Sequence, residues 1–130
     1  MADYVVRYTE LPAIWEDAGF MRKVYVGDAP GAIQHNTCRK EMWCLPAGVG
    51  LAPFTRTVED AYLCLEGYVE VVWVDDDGTE ASVELGPRDL TKTPAGQRHF
   101  LRNSGGGAAT VWTVIGTAGD DGAIYSKGDR

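Results

Sequence analysis

The chain has 130 residues, of which 45% are hydrophobic, and its formal net charge is -7 at pH 7. This length predicts one domain built around a single core. The acidic balance argues against nucleic acid or an anionic membrane as a partner, because both require a clustered positive surface.

No apolar run approaches the roughly 20 residues of a membrane span, and no basic segment followed by an apolar one opens the chain. The three cysteines, Cys38, Cys44 and Cys64, are an odd number without a CxxC pair. This pattern predicts neither a disulfide framework nor a zinc knuckle. We therefore predict an unexported protein in the reducing cytoplasm.

The predicted elements begin with a strand over 5–8 and a short N-terminal helical segment over 9–18, which would form a lid. Short Val, Trp, Tyr and Leu runs separated by turn residues then predict a series of strands. These strands cover 24–26, 32–38, 41–45, 51–57, 61–65, 68–75, 79–85, 99–103 and 108–115. Short strands at such regular spacing indicate an all-β sandwich or barrel.

The domain organisation follows from this series. Residues 1–116, including the N-terminal lid, are predicted to form one barrel domain. Residues 117–130 are rich in Gly and Asp, and we expect a partly disordered tail with Ile124 and Tyr125 as its only anchors.

The segment PAGQRHFLRN, residues 94–103, organises the chain. Pro94 and Gly96 predict a tight turn, because proline fixes one backbone torsion and glycine accepts an unusual one. A strand then leaves the turn carrying His99, and Asn103 opens a Gly-rich loop. The turn therefore sets the direction in which the histidine points.

These residues resemble the second sequence motif of the cupin superfamily, P-x-G-x-x-H-x-x-x-N. The glycine that precedes the proline in that motif corresponds to Gly86, with a gap two residues longer than the common form. The resemblance implies a double-stranded β-helix jelly-roll barrel.

The first cupin motif, G-x5-H-x-H-x3-E-x6-G, aligns less completely. With Gly67 at its last position, the motif begins at Gly48, and the segment YLCLEG resembles the end of the corresponding family strand. The positions of the two histidines and the glutamate hold Phe54, Arg56 and Asp60 instead. The resemblance therefore supports the fold while the metal-binding positions depart from it.

In the family, those three positions bind a metal ion together with the histidine that corresponds to His99. A guanidinium at the position of Arg56 would repel a cation and offers it no lone pair. We therefore predict no metal and no other cofactor. The alternative is a rearranged metal site that recruits His35, Glu59 or a cysteine.

The resemblance places the alternating side chains of these strands in the barrel interior. We predict His99 as an acid/base group, Asp60 as its partner and Tyr62 as a hydroxyl donor, all three catalytic. Arg56 would anchor an anionic substrate, because its planar fork matches a carboxylate or phosphate. The remaining predicted substrate-binding residues are Phe54 and Cys64.

Each of these residues also has a structural interpretation. Arg56 could form a permanent ion pair with Asp60 or Glu59, since an unpaired buried arginine is too costly. His99 could be a relic held by a hydrogen bond, and Tyr62 could be a packing residue.

Three functional hypotheses follow. The first is a cupin that binds a small polar or anionic molecule and acts on it by metal-independent acid/base chemistry, as an isomerase, cyclase or lyase. The second is a non-catalytic ligand-binding or sensor cupin, and the third is a metal-dependent dioxygenase or lyase with an unusual ligand set. An interior plugged by Phe54 and an Arg56 ion pair would argue against the first hypothesis.

The run over 69–74 has apolar residues on both faces of its predicted strand. One face could therefore pack against a second copy of the chain. We predict a homodimer.

Overall fold

The structure is a computed structural model that describes residues 4–34 and 37–128. The described elements are a 3-10 turn, Tyr8–Glu10, followed by nine strands. The strands are β1 (Ile14–Trp15), β2 (Met21–Val26), β3 (Arg39–Leu45), β4 (Asp60–Glu66), β5 (Val69–Val74), β6 (Glu80–Leu85), β7 (Leu90–Thr93), β8 (His99–Arg102) and β9 (Ala109–Ile115).

The strands form two antiparallel sheets. One sheet has six strands in the order β1-β2-β3-β9-β4-β7, and the other has three in the order β6-β5-β8. Strands distant in sequence are neighbours, as β9 between β3 and β4 shows. The predicted all-β jelly-roll class is confirmed.

Seven of the predicted strands correspond to β2, β3, β4, β5, β6, β8 and β9. The predictions over 32–38 and 51–57 are wrong for the described residues, which form only isolated bridges such as those of Ile33 and Phe54. Strand β7 was not predicted, because its four residues include only one large apolar side chain, Leu90.

The predicted N-terminal helical segment is reduced to the single 3-10 turn. Residues 5–7 form no strand, and Ile14 and Trp15 pair with Arg22 and Met21 instead of entering a helix. Gly19, with φ of 96°, makes the turn between the two strands. Pairing with β2 gives these residues sheet hydrogen bonds, which one isolated helical turn could not match.

The barrel interior receives alternate side chains from the six-stranded sheet. In β4, Asp60, Tyr62 and Cys64 point inward and are fully or almost fully buried. Leu63 lies between them on the outer face. The same alternation in β3 turns Glu41 and Trp43 inward, so charged groups enter the core together with aromatic rings.

In the three-stranded sheet, both faces of β5 are buried within one chain. Val71 and Val72 point to opposite faces, and neither is exposed to solvent. The strand therefore has no exposed apolar stripe at these positions, contrary to the basis of the dimer prediction.

Residues 117–128, which we call the C-terminal segment, return to the barrel. Asp121 is 3% exposed, and the ring of Tyr125 packs against Phe20, Trp43 and Phe54. Tyr125 is thus an anchor as predicted, whereas Ile124 is 75% exposed and anchors nothing. Among the described residues, no helix is long and apolar enough to cross a bilayer.

Candidate functional site

The turn over 94–97 positions the side chains of Arg56 and His99. Gly96 has φ of 81°, the left-handed conformation that glycine accepts readily, and its N–H donates to the Arg56 carbonyl at 2.9 Å. Strand β8 then begins at His99. At the far end, Asn103 donates to the carbonyls of Leu45 and Gly107, which closes the Gly-rich loop.

A backbone bridge brings the first-motif segment alongside β8. The N–H of Phe54 donates to the His99 carbonyl at 2.9 Å, and the N–H of His99 donates to the Phe54 carbonyl at 3.0 Å. The two rings lie 4.7 Å apart between centroids. Arg56 follows two residues later and so enters the same interior space.

We call Arg56, Asp60, Tyr62 and His99 the interior cluster. Arg56 is 1% exposed and donates through Nε to Asp60 Oδ2 at 2.7 Å. Its Nη1 donates to Asp121 Oδ2 at 2.6 Å and to the Tyr125 hydroxyl at 2.8 Å. Its Nη2 donates to the Tyr62 hydroxyl at 3.2 Å. Every nitrogen of the guanidinium therefore has a partner.

Within the interior cluster, Arg56, Tyr62 and His99 all lie within hydrogen-bonding distance of one oxygen, Asp60 Oδ2. Asp60 Oδ2 accepts from the Tyr62 hydroxyl at 2.8 Å and lies 2.9 Å from His99 Nε2. The Tyr62 hydroxyl also lies 2.9 Å from His99 Nε2. By contrast, Asp60 Oδ1 is buried and has no hydrogen-bond partner among the described residues.

The hydrogen bonds restrict the protons of His99. Nδ1 lies 2.9 Å from the Gln97 carbonyl, which can only accept, so Nδ1 carries a proton. Nε2 then has two states. In a neutral ring it accepts the Tyr62 hydroxyl proton, which is then not donated to Asp60. In an imidazolium it donates to Asp60, and Tyr62 also donates to Asp60. Both states use the same heavy-atom positions.

Burial and ion pairing act in opposite directions on the acids. Burial disfavours ionised Asp60, but the hydrogen bond with His99 and the charge of Arg56 outweigh it and lower the pKa of Asp60. Asp121 has a lowered pKa because the Ala123 N–H and the Arg56 charge outweigh its burial. Burial raises the pKa of Tyr62 well above its usual value. At neutral pH the two carboxylates are ionised and the phenol is protonated.

The interior cluster is one end of a longer chain of alternating charges. Asp121 Oδ2 also accepts from Arg39 Nη2 at 3.0 Å, and Arg39 Nε pairs with the fully buried Glu41. Arg22 joins Glu41 to Glu16 near the surface. We call this series the ion-pair chain: Glu16, Arg22, Glu41, Arg39, Asp121, Arg56, Asp60 and His99.

Sequence reasoning missed four inner members of the ion-pair chain: Arg22, Arg39, Glu41 and Asp121. The signal for Arg39 and Glu41 was their spacing of two before Trp43, which places all three on one strand face. Charged residues on the inward face of a strand require partners. Asp121 had no comparable signal, because it lies in a Gly-rich segment without periodicity.

The structure brings together five of the predicted site residues: Phe54 and the four members of the interior cluster. Cys64 is buried, but its thiol donates to the Glu66 and Gly67 carbonyls, and burial raises its pKa. Glu59 forms a surface pair with Lys92 at 2.9 Å and not with Arg56. His35 lies outside the described residues.

The residues at the family's metal-binding positions do not fit a metal ion. The Arg56 guanidinium occupies the space beside Asp60 and His99, and Asp60 Oδ2 already has three neighbours within hydrogen-bonding distance. Among the described residues, no three or more His, Cys, Asp or Glu side chains are grouped so that they could hold a metal. A cation would have to displace a fixed positive charge.

A cleft of about 340 Å³ lies beside the middle of the ion-pair chain. Arg22, Arg39 and Tyr125 line it, with 20% and 14% of the two arginine side chains exposed. Its remaining lining residues are Ile14, Val24, Asp28, Ala29, Ala118, Gly119, Asp120, Asp121 and Ala123. A cleft of this size can hold a small organic molecule.

No protein-family model matches the chain, and no curated protein sequence is significantly similar to it. Several solved structures are similar to this chain in fold. Peruvianin-I, a cysteine peptidase from Thevetia peruviana latex, has a TM-score of 0.78 and 19% identity, covering 96% of this chain and 78% of that one.

The DMSP lyase DddQ from Ruegeria pomeroyi DSS-3 has a TM-score of 0.72 and 18% identity, covering 92% of this chain and 61% of that one. A cupin superfamily protein from Desulfitobacterium hafniense DCB-2 has a TM-score of 0.61 and 14% identity, covering 80% and 82%. The chain therefore has the cupin fold. At these identities the likeness establishes the fold alone, and function has to be argued from the site.

Proposed function

We propose that this protein is a binding cupin that takes a small organic acid in the cleft, and that the interior cluster stabilises the barrel. The observation that carries the proposal is the pairing of Arg56. This guanidinium is 1% exposed and donates to two carboxylates and two hydroxyls, so four of its five N–H groups are already used and it is shielded from solvent. The interior is plugged in the way that argues against the enzyme hypothesis.

The cleft supplies what the interior does not. Arg22 donates to Glu16 and Glu41 through Nε and Nη1, and no described residue accepts from its Nη2. Arg39 is partly exposed as well, but its three nitrogens already donate to Glu41, the Gly119 carbonyl and Asp121, so the spare donors of the cleft belong to Arg22. A guanidinium with spare donors in a partly enclosed cleft favours a carboxylate ligand, because the hydrogen bonds are charge-assisted.

A small-molecule role agrees with one structural neighbour, DddQ, which is named as a DMSP lyase. The three cysteines are unpaired, which supports the cytoplasm as the location in this proposal. The homodimer remains a prediction from the sequence, and the buried Val71 and Val72 give it no support. Sedimentation at micromolar concentration should give twice the mass of the chain, and a clean monomer would refute it.

Isothermal titration with 4-methylpentanoate, a small aliphatic acid, tests the binding function. We expect saturable binding to the native protein and a loss of about tenfold or more in Arg22→Gln, because one charge-assisted contact is removed. Arg98→Gln, an exposed arginine outside the cleft, is the matched control and should bind normally. Equal affinities in both variants, or no binding to the native protein, would exclude an acid site at Arg22.

Acid/base catalysis is the second candidate, and one observation favours it. Asp60 Oδ1 is buried without a hydrogen-bond partner among the described residues and can still accept a hydrogen bond, on a carboxylate whose other oxygen contacts Tyr62 and His99. Asp121 and Tyr125 contact Arg56 and pack over the interior cluster, so in this candidate function they move away from Arg56 to admit a substrate. Amide hydrogen exchange over 117–126 tests this requirement: faster exchange with a bound acid supports catalysis, and slower or unchanged exchange contradicts it.

A further inference from the structure

We infer that the ligand of the cleft is a zwitterion of amino-acid type, with its carboxylate on Arg22 and its ammonium on Asp28 and Asp120. This inference rests on the proposed binding function and narrows it to one class of ligand. Charged groups of both signs line the cleft: its two arginines are mostly buried, and two of its aspartates are exposed.

The mostly buried charged residues of the cleft lining are Arg22, Arg39 and Asp121. Arg22 and Arg39 are mostly buried, and their contacts with Glu16, Glu41 and Asp121 hold the guanidinium groups in place. Fixed guanidinium groups lose little conformational freedom when a ligand binds. Arg22, whose Nη2 has no described acceptor, therefore provides a preorganised position for a carboxylate.

The exposed charged residues of the cleft lining are anionic. Asp28 and Asp120 are both exposed, and Asp28 has no hydrogen bond or ion pair with any described residue. Asp120 accepts only from the Gly122 N–H through Oδ1. A ligand that carried only negative charge would have to approach these two carboxylates, which repel it. A ligand with an ammonium group would instead be attracted to them.

Aliphatic side chains form another part of the cleft lining. Ile14, Val24, Ala29 and Ala118 line the cleft and provide apolar contact for a hydrocarbon side chain. The ring of Tyr125 forms a further wall, and the Arg22 guanidinium lies 5.8 Å from its centroid. An aliphatic amino acid therefore matches all three parts of the lining, whereas a simple acid matches two of them.

Three probes with the same hydrocarbon body separate the possibilities: L-leucine, 4-methylpentanoate and 3-methylbutylamine. Titrated into the native protein, L-leucine should bind about tenfold tighter than 4-methylpentanoate, because it adds a charge-assisted contact at the exposed aspartates. The amine should bind weakest, because it lacks the arginine contact. Equal affinity for L-leucine and 4-methylpentanoate would overturn the zwitterion and leave the proposed function intact.

The double variant Asp28→Asn and Asp120→Asn completes the test. We expect L-leucine affinity to fall to the level of the acid, while 4-methylpentanoate binds as well as before or better. Unchanged L-leucine affinity in this variant would also overturn the inference. If none of the three probes binds the native protein, the proposed function itself fails, which is a different result from equal binding.

Discussion

The interior cluster and the cleft lie on the same ion-pair chain but differ in how completely their guanidinium groups are used. Arg56 is buried and donates from every nitrogen, whereas Arg22 keeps part of its side chain exposed and one nitrogen without a described acceptor. A paired and buried arginine stabilises a fold, and a partly exposed one can bind a ligand. Residue type alone does not distinguish the two.

The largest expected effect is the loss of Arg56. Arg56→Met removes the arginine that Asp60 and Asp121 share and leaves them buried with only His99 and Arg39, so we expect the free energy of unfolding to fall by about 3 kcal/mol. Urea unfolding followed by circular dichroism measures this change. Arg98→Met, at an exposed arginine, is the control, and an equal loss in both variants would show that the interior cluster does not stabilise the barrel.

Acid should weaken the interior cluster next. Asp60 and Asp121 have lowered pKa values in the folded protein, so their contribution to stability is complete above the unfolded aspartate pKa of about 3.9. It is lost as the pH falls below that value and through the folded pKa.

The free energy of unfolding measured from pH 7 to pH 2 tests this dependence. Asp121→Asn should be less stable at pH 7 and should lose less stability on acidification. Asp76→Asn, an exposed residue outside the ion-pair chain, should follow the native protein. An identical acid dependence in the native protein and Asp121→Asn would contradict the role of Asp121.

The smallest effect concerns the junction between the two regions. Tyr125→Phe removes one hydroxyl acceptor from Arg56 and leaves its ring packed against Trp43, so we expect a loss of about 1 kcal/mol. Thermal unfolding of Tyr68→Phe, at a tyrosine that is 59% exposed, provides the control. A loss several times larger would mean that this hydroxyl holds the whole C-terminal segment.

Most of the sheet structure could be predicted from the sequence, because alternation and turn residues are local signals. The Pro94–Gly96 turn and its histidine were predicted correctly in this way, and the Gly96 torsion confirms the turn. The helical segment over 9–18 was wrong because pairing with β2 decided its conformation. That pairing is a tertiary contact, which local propensity does not contain.

The candidate site was predictable only in part. Arg56, Asp60 and His99 were named because a family motif marks their positions, and they do meet. The contact of Arg56 with Asp121 spans 65 residues and depends on how the C-terminal segment returns to the barrel. Residue spacing does not predict such a contact, so the cleft and the pairing of Arg56 with Asp121 could be recognised only from the three-dimensional structure.

The most direct test of binding in the cleft is a two-dimensional NMR titration of ¹⁵N-labelled protein with 4-methylpentanoate. We predict that chemical shifts change at the amides of Ala29, Arg39, Ala118 and Gly119, while those of Phe54 and His99 stay in place. Shift changes centred on Phe54 and His99, with the cleft amides unaffected, would place the ligand inside the barrel and contradict this account.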